Sequence, residues 1–476
     1  MTFQNAAALA GPELILIISA LSLLVWGAFQ KSTSVLFTVA SMAALVAAAV
    51  VSAMGPFGRA FSGGLIVDAG SVFGKVVIYL ASAVAIPLGE RWFARRNMAR
   101  FEYPVLVMLA ALGMGMMVSA GDLISLYVSI ELQSLALYIL AAFHKGDEKS
   151  AEAGLKYFVL GALSSGILLY GASLIYGFAG STRFEVIAAA MTHGAGLGAL
   201  FGLVFVIAGL AFKVSAAPFH MWTPDVYEGA PTPVVGFFAG APKLAAMVLL
   251  ARILTQSFGG AIDQWRQVLI VMALISVAVG AFAGLAQNNL KRLWAYSSIA
   301  GIGYALIGLA AGGQAGIQSM LVYMVLYVID VTGFFACLAA LSRDGKPMET
   351  MADFAGLARE RPALGVAMTV FALSALGLPP MSGLWGKYYV FKAAAGAGLI
   401  PVAAIALVGS VVAAFYYLRL IKVMWLDPSP GATDAPPLEA TVVTYAAALF
   451  AFPAVLGALI ALDPLAQTAA AALALR

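Results

Sequence analysis

Apolar residues in this chain neither alternate nor keep to one helical face. They run on for about 18–25 positions at a time and give way only to short polar stretches. A run of that length crosses a ~30 Å hydrocarbon core as helix, and the ten-residue alternation of a membrane barrel is absent. The pattern predicts an all-α polytopic membrane protein with about 14 spans, at residues 12–30, 34–53, 68–89, 103–120, 122–143, 153–178, 197–219, 232–256, 265–286, 293–311, 316–341, 363–395, 402–426 and 440–462. Connections between them are short. One linker-like stretch, DPSPGATDAPPLE at 427–439, precedes the last span, and the Ala-rich tail, 466–476, reads as a frayed or interfacial helix end.

Composition agrees: of 476 residues 63% are hydrophobic and 10% charged, too apolar for a soluble multidomain protein. Cys337 is the only cysteine, so this chain alone builds no disulfide, thiolate zinc site or iron–sulfur cluster. His144, His193 and His220 are scattered without metal-motif spacing. Nothing points to nucleic acid, and the absence of an extramembrane domain argues against a nucleotide site. GAGLG at 194–198 and GIGYALIG at 301–308 match a dinucleotide fingerprint only as strings, because neither follows a strand; small-residue packing between membrane helices explains both. The first apolar run has no basic residue ahead of it and carries Glu13 at its start, as a retained helix does and a cleaved signal does not.

Charge is modest, +4 overall, but unevenly placed. Odd-numbered loops hold Lys31, the Arg91–Arg100 cluster, Lys145, Lys149, Lys291, Arg292, Arg343, Lys346, Arg359, Arg361 and Lys422. Even-numbered loops and their helix ends hold only Arg59, Arg183, Arg252 and Arg266. The excess places the odd loops on the cytoplasmic side and both termini on the periplasmic side.

Four charges lie inside spans. Glu131, Lys213, Lys243 and Lys387 interrupt otherwise lipid-compatible sequence. An ionised group near the bilayer centre costs at least ~2.5–3.5 kcal/mol, so such residues face a protein or water-filled interior and mark ion or proton paths. Helical spacing aligns Tyr127, Ser134 and Tyr138 with Glu131, a stripe able to hydrate. Lys213 precedes Pro218 and Pro224, and Lys387 follows Pro379 and Pro380. Proline removes helix hydrogen bonds, and unwound backbone at membrane depth survives only against protein or water, so the seventh and twelfth spans read as broken helices of a transport site. The lysine precedes the first break and follows the second, so the sequence does not itself establish symmetry. A Lys213–Glu131 pair switches protonation when one partner moves, and Lys243, with no acid nearby in sequence, suits a relay between titrating sites. Lys387, flanked by Trp385, Tyr388 and Tyr389, fits either an interfacial belt or a cavity. Lys75, Lys156 and Asp330, the last sharing a helical face with Tyr323 and Tyr327, each suit a structural or entry-path role as well as a functional one. His220, Asp225 and Glu228 suit an exit path or a solvated loop equally.

The strings KVSAAPFHMWTPDVYEGAPTPVVGFFAGAPK (213–243), LKRLWAYSSIAGIGY (290–304) and LSALGLPPMSGLWGKYYVF (373–391) resemble the proton-conducting, antiporter-like membrane subunits of respiratory complex I, across a core of about 103–425. Within that family the chain is most similar to the N-type subunits of bacterial NADH-quinone oxidoreductase. The resemblance implies two inverted five-helix repeats, spans 4–8 and 9–13, with broken helices 7 and 12. It divides the chain into an N-terminal segment (1–102), a first repeat (103–256), a second repeat (257–426), and a linker with a C-terminal helix (427–476). It further implies a proton relay in which Glu131 pairs with Lys213, Lys243 is central and Lys387 lies at the far side, with Lys156 secondary. No cofactor is expected on this chain; NADH, FMN, iron–sulfur clusters and quinone belong to partner subunits. Expected partners are the lipid bilayer and other membrane-arm subunits, including antiporter-like subunit M and small membrane subunits, in a bacterial inner membrane. Two rival readings are a subunit of a multisubunit Na⁺/H⁺ antiporter and a membrane scaffold whose buried charges merely fix helix packing.

Overall fold

The computed structural model describes residues 3–30, 35–192 and 196–474; Lys31 and His193, named above, lie outside them. The N-terminal part contains α1 (Phe3–Leu9), α2 (Gly11–Phe29), α3 (Val35–Met54) and α4 (Ala69–Ala94). The central part contains α5 (Glu102–Val118), α6 (Leu123–Ala141), α7 (Glu148–Ala179), α8 (Phe184–Thr192), α9 (Gly196–Val214), α10 (Trp222–Gly229), α11 (Thr232–Ala239) and α12 (Ala241–Gln256). Then follow α13 (Ile262–Gly284), α14 (Leu290–Ala311), α15 (Gly313–Ala340), α16 (Leu357–Glu360), α17 (Pro362–Leu376), α18 (Ser382–Gly396) and α19 (Ile400–Leu426). The chain ends with α20 (Leu438–Leu449) and α21 (Val455–Ala474), joined through a π turn at Phe450–Ala454.

Among the described residues twelve helices are long and apolar enough to cross a membrane, and α5 and α17 are shorter apolar helices. Local chemistry fixes where they begin. The side chains of Asp68, Asp122, Asp147 and Asn289 accept a hydrogen bond from a backbone N–H in the first turn of α4, α6, α7 and α14. Proline occupies the first or second position of α2, α11, α12, α17 and α19, where its missing N–H costs nothing.

Helices α12, α14 and α15 are enclosed almost completely, and α12 carries Lys243. The outer helices show the reverse of a soluble protein. Leu155, Phe158, Leu163, Phe201, Val411 and Phe415 point outward, an apolar perimeter suited to lipid.

Three local departures from the sequence reading stand out. The span expected at 232–256 is broken at Gly240 (φ −101°, ψ −92°), because Pro242 has no N–H to continue α11 and instead begins α12. The tail is not frayed: α21 continues to Ala474, and Ala466, Ala469, Ala470 and Leu473 are buried, with the Thr255 hydroxyl donating to the Leu473 carbonyl at 2.7 Å. Small side chains let that helix lie close against α4. Finally, two connections carry antiparallel hairpins, β1 (Gly58–Ala60) with β2 (Leu65–Val67), and β3 (Ser342–Arg343) with β4 (Lys346–Pro347), which apolar-run reading does not reveal.

Candidate functional site

The lysines predicted from sequence are buried: Lys213, Lys243 and Lys387 are 6%, 1% and 8% exposed, and Lys75 and Lys291 are buried too, each in an ion pair with a glutamate. Lys213, Lys243 and Lys387 each lie beside a helix break.

Lys213 is near the end of α9. Its Nζ donates to Ser134 Oγ at 2.8 Å and to the Tyr138 hydroxyl at 3.4 Å, both on α6. Glu131, one turn before Ser134, instead accepts from Ser165 Oγ of α7. Glu131 and Lys213 thus bond to two different hydroxyls, those of Ser165 and Ser134, and no ion pair joins them among the described residues. The reason is register: Glu131 and Ser134 share a face of α6, and the serine stands at the level of the lysine. Beyond Lys213 the backbone is satisfied within the protein. Trp222 Nε1 donates to the Phe212 carbonyl at 3.0 Å, and the Ala217 N–H donates to Ser276 Oγ at 2.8 Å.

Lys243 stands in the first turn of α12, and its ammonium donates to Ser298 Oγ on α14. The Ser298 hydroxyl in turn lies 2.5 Å from the Tyr327 hydroxyl on α15. The Tyr227 ring covers the ammonium at 5.4 Å. A serine hydroxyl both accepts and donates, so Lys243, Ser298 and Tyr327 form a continuous donor–acceptor chain.

That chain opens on a cavity of about 50 Å³ lined by Tyr327, Tyr323, Tyr304, Asp330 and Lys387 among others, large enough for a few waters. Lys387 donates to the carbonyls of Leu376 (2.8 Å) and Ala375 (3.1 Å) and to Ser410 Oγ (2.7 Å), while the Tyr304 ring lies 4.7 Å from its ammonium. Those carbonyls are the unpaired end of α17, where a cation is favoured. Gly377 closes α17 with φ +89°, and a Cβ there would meet Lys387 Cδ at 2.9 Å, so glycine is needed on both counts. Of the two readings open for Lys387 the geometry selects the cavity; Tyr388, on the opposite face of α18, is the exposed neighbour.

Lys156 belongs to a different cluster. Its ammonium is 2.7 Å from both Asp225 and Glu152, Arg292 is 2.6 Å from Asp225 and 3.3 Å from Glu228, and Lys149 is 3.6 Å from Glu228. These groups surround an open cavity of about 210 Å³. Asp225 and Glu228 are thus gathered, whereas His220 is half-buried and absent from that lining.

Sequence reasoning aligned Tyr327 with Asp330 but passed over Ser165, Ser298 and Ser410, because isolated serines inside apolar runs carry no distinguishing signal. It also counted Arg252 only as a loop-end cation. Arg252 is fully buried, its guanidinium bidentate to Asp68 at 2.7 Å and donating to the Val118 carbonyl at 3.1 Å. Lys75 is likewise buried, 2.6 Å from Glu13.

A family described as the NADH:quinone oxidoreductase/Mrp antiporter membrane family matches residues 120–413, the segment holding every one of the deep lysines on broken helices. The chain belongs to this family. A relative named NADH-quinone oxidoreductase subunit N, from Caulobacter sp. (strain K31), is 67% identical over 479 residues, covering 99% of each chain. A chain of respiratory complex I from Thermus thermophilus, solved with bound aureothin, is 36% identical and superposes with a TM-score of 0.81 over 96% of this chain and 99% of that one. A chain of the Mrp complex from Dietzia sp. DQ12-45-1b shares the fold at a TM-score of 0.85, 24% identity and coverage of 99% and 98%. The helical frame of this chain is thus found in subunits of two different solved complexes.

Proposed function

We propose that this chain is a proton-translocating membrane-arm subunit of a bacterial NADH:quinone oxidoreductase. The observation that carries the reading is the hydroxyl chain from Lys243 through Ser298 and Tyr327 into the cavity of Lys387, in a chain 67% identical to a relative named as subunit N of that enzyme. NADH, FMN, iron–sulfur clusters and quinone are assigned to partner subunits, and subunit M and small membrane subunits to its neighbours in the inner membrane. The odd loops are assigned to the cytoplasm and both termini to the periplasm, from the basic-residue bias.

In mechanism, the Lys156–Asp225–Arg292 cluster presents an open, charged mouth at the helix ends nearest the odd loops, matching an access path. Glu131, held by Ser165, and Lys213, held by Ser134, change their interaction when either helix shifts, since the charge on one sets the protonation of the other. Between Lys213 and Lys243 stand rings: Tyr138 against Tyr157, Tyr157 stacked on Trp222 at 4.3 Å, and Trp222 against Tyr227. Past that partition, protons pass from Lys243 to Lys387 through hydroxyls and cavity water. Moving one charge against 100 mV costs about 2.3 kcal/mol, so the relay drives nothing alone, and the energy arrives from partner subunits that bias the Glu131–Lys213 end.

The test is NADH-driven proton uptake in inverted membrane vesicles containing the assembled complex with Lys213→Met or Lys243→Met. Loss of pumping with the complex intact is expected, and undiminished pumping in both variants leaves a scaffold as the reading. Sodium efflux from vesicles without NADH would instead mark an antiporter.

A further inference from the structure

Asp330, in the middle of α15, is a buried carboxylate to which neither the family likeness nor the relay just described assigns a role. It accepts from Ser374 Oγ at 2.5 Å and from Ser382 Oγ at 2.8 and 3.0 Å. Ser374 belongs to α17 and Ser382 begins α18, so one carboxylate holds both sides of the break. Ser374 Oγ also accepts the Gly383 N–H at 2.8 Å, which leaves its proton for Asp330. Ser382 Oγ also lies 2.7 Å from Ser374 Oγ and can donate to either neighbour, so the carboxylate receives the Ser374 proton and competes for that of Ser382, as an acceptor-only ionised acid does.

An ionised acid at this depth needs a counter-charge, because an uncompensated buried charge is strongly destabilising. Among the described residues no lysine or arginine forms an ion pair with Asp330. The single cation lining its cavity is Lys387, and the space between them, about 50 Å³, takes water. Tyr323 and Tyr327 line the same cavity, so Asp330 also faces the end of the hydroxyl chain from Lys243.

We propose that Asp330 is the acid partner of Lys387, so that the second half of the chain carries a solvent-bridged carboxylate–lysine pair as the first half carries Glu131 and Lys213. When Lys387 is an ammonium, Asp330 is a carboxylate and the pair is neutral. When a further proton arrives through Tyr327 and cavity water, Asp330 takes it, its oxygen gaining the proton that the water releases, and Lys387 then stands as an unbalanced cation primed to release its own.

This rests on the proton-translocation reading, and the experiment separates the two. Proton uptake per NADH oxidised is measured in inverted vesicles for Lys387→Met, Asp330→Asn, Asp330→Glu and the double variant Ser374→Ala/Ser382→Ala, with the assembled complex quantified in each. The expected result is loss of pumping in Asp330→Asn to the level of Lys387→Met, recovery in Asp330→Glu, and retained pumping in the serine double variant, which keeps the charge. Pumping intact in Lys387→Met overturns the relay itself. Pumping lost in Lys387→Met but intact in Asp330→Asn overturns only the assignment of Asp330. If Asp330→Asn does not assemble, the serine variant decides: pumping lost there in assembled complex makes Asp330 a structural latch and overturns the proposal, and pumping retained supports it.

Discussion

The Ser298 hydroxyl lies 2.5 Å from the Tyr327 hydroxyl while it accepts the Lys243 ammonium, so one serine joins the enclosed lysine of α12 to the phenol that faces the cavity of Lys387. Removing the phenol cuts this chain without adding volume. Tyr327→Phe should lower the NADH-driven pumping rate at least about tenfold, since a positioned proton-transfer group contributes ~10²–10⁴, while leaving the amount of assembled complex unchanged. Vesicle acidification with parallel quantification of the complex checks this, and an unchanged rate would remove Tyr327 from the path.

The Ser134 hydroxyl is the nearer hydrogen-bond partner of Lys213, at 2.8 Å. A hydrogen bond to a charged group is worth about 1.5–3 kcal/mol, and Tyr138 remains as a longer second partner at 3.4 Å. Ser134→Ala should therefore reduce pumping less than Lys213→Met, and Ser134→Ala with Tyr138→Phe should approach it. Equal rates for the wild type and the double variant would show that these hydroxyls do not position the lysine.

The Arg252–Asp68 pair ties α12 to the start of α4. Arg252 is fully buried and Asp68 partly so, and breaking a buried pair costs about 3–5 kcal/mol; with one partner partly solvated the lower figure applies. Arg252→Met should lower the melting temperature of the purified complex, and Asp68→Leu combined with it should recover part of the loss. Thermal unfolding of the three proteins measures this directly.

The same pair fixes a pH dependence. Burial acts to raise the Asp68 carboxyl, but the Arg252 guanidinium and the Ser71 hydrogen bonds outweigh it and hold the group below the usual carboxylate value. A carboxyl lowered in the folded state adds stability that is present above its unfolded value of about 3.9 and lost as pH falls through the folded one. The stability gap between wild type and Asp68→Asn should be full at neutral pH and shrink below about pH 4. A gap independent of pH would show that the lost contact is not ionic.

The close approach of α21 and α4 depends on Gly70, where a Cβ would come within 2.6 Å of Leu473 Cγ. Gly70→Leu should separate the two helices at a cost of about 1–3 kcal/mol, read as a smaller fraction of the chain recovered in the assembled complex. Normal assembly would mean that the C-terminal turns are dispensable.

How much of this was legible beforehand follows from what each signal depends on. Glu131, Lys213, Lys243 and Lys387 were evident because an ionised group in a lipid-length apolar run is conspicuous whatever surrounds it, and the prolines after Lys213 and before Lys387 marked the breaks. The break at Gly240 was written in the same letters, Gly240 and Pro242, but was masked by the continuous hydropathy of 232–256. The connecting serines were not legible: Ser298 is an ordinary packing residue until α14 brings it between Lys243 and Tyr327, a tyrosine the sequence had aligned only with Asp330.

The sequence by itself determined that this is a multi-span helical membrane protein, where its helices start, and which charges must be shielded, because hydropathy, capping and the cost of burying charge are all local quantities. Only the tertiary structure decided which groups shield them. It gave Lys213 the Ser134 hydroxyl and Glu131 that of Ser165, turned Lys387 toward the open carbonyls of α17, and set Asp330 across the same cavity. Partner choice among buried polar groups depends on how helices far apart in the chain rotate and cross, and no run of neighbouring residues contains that information.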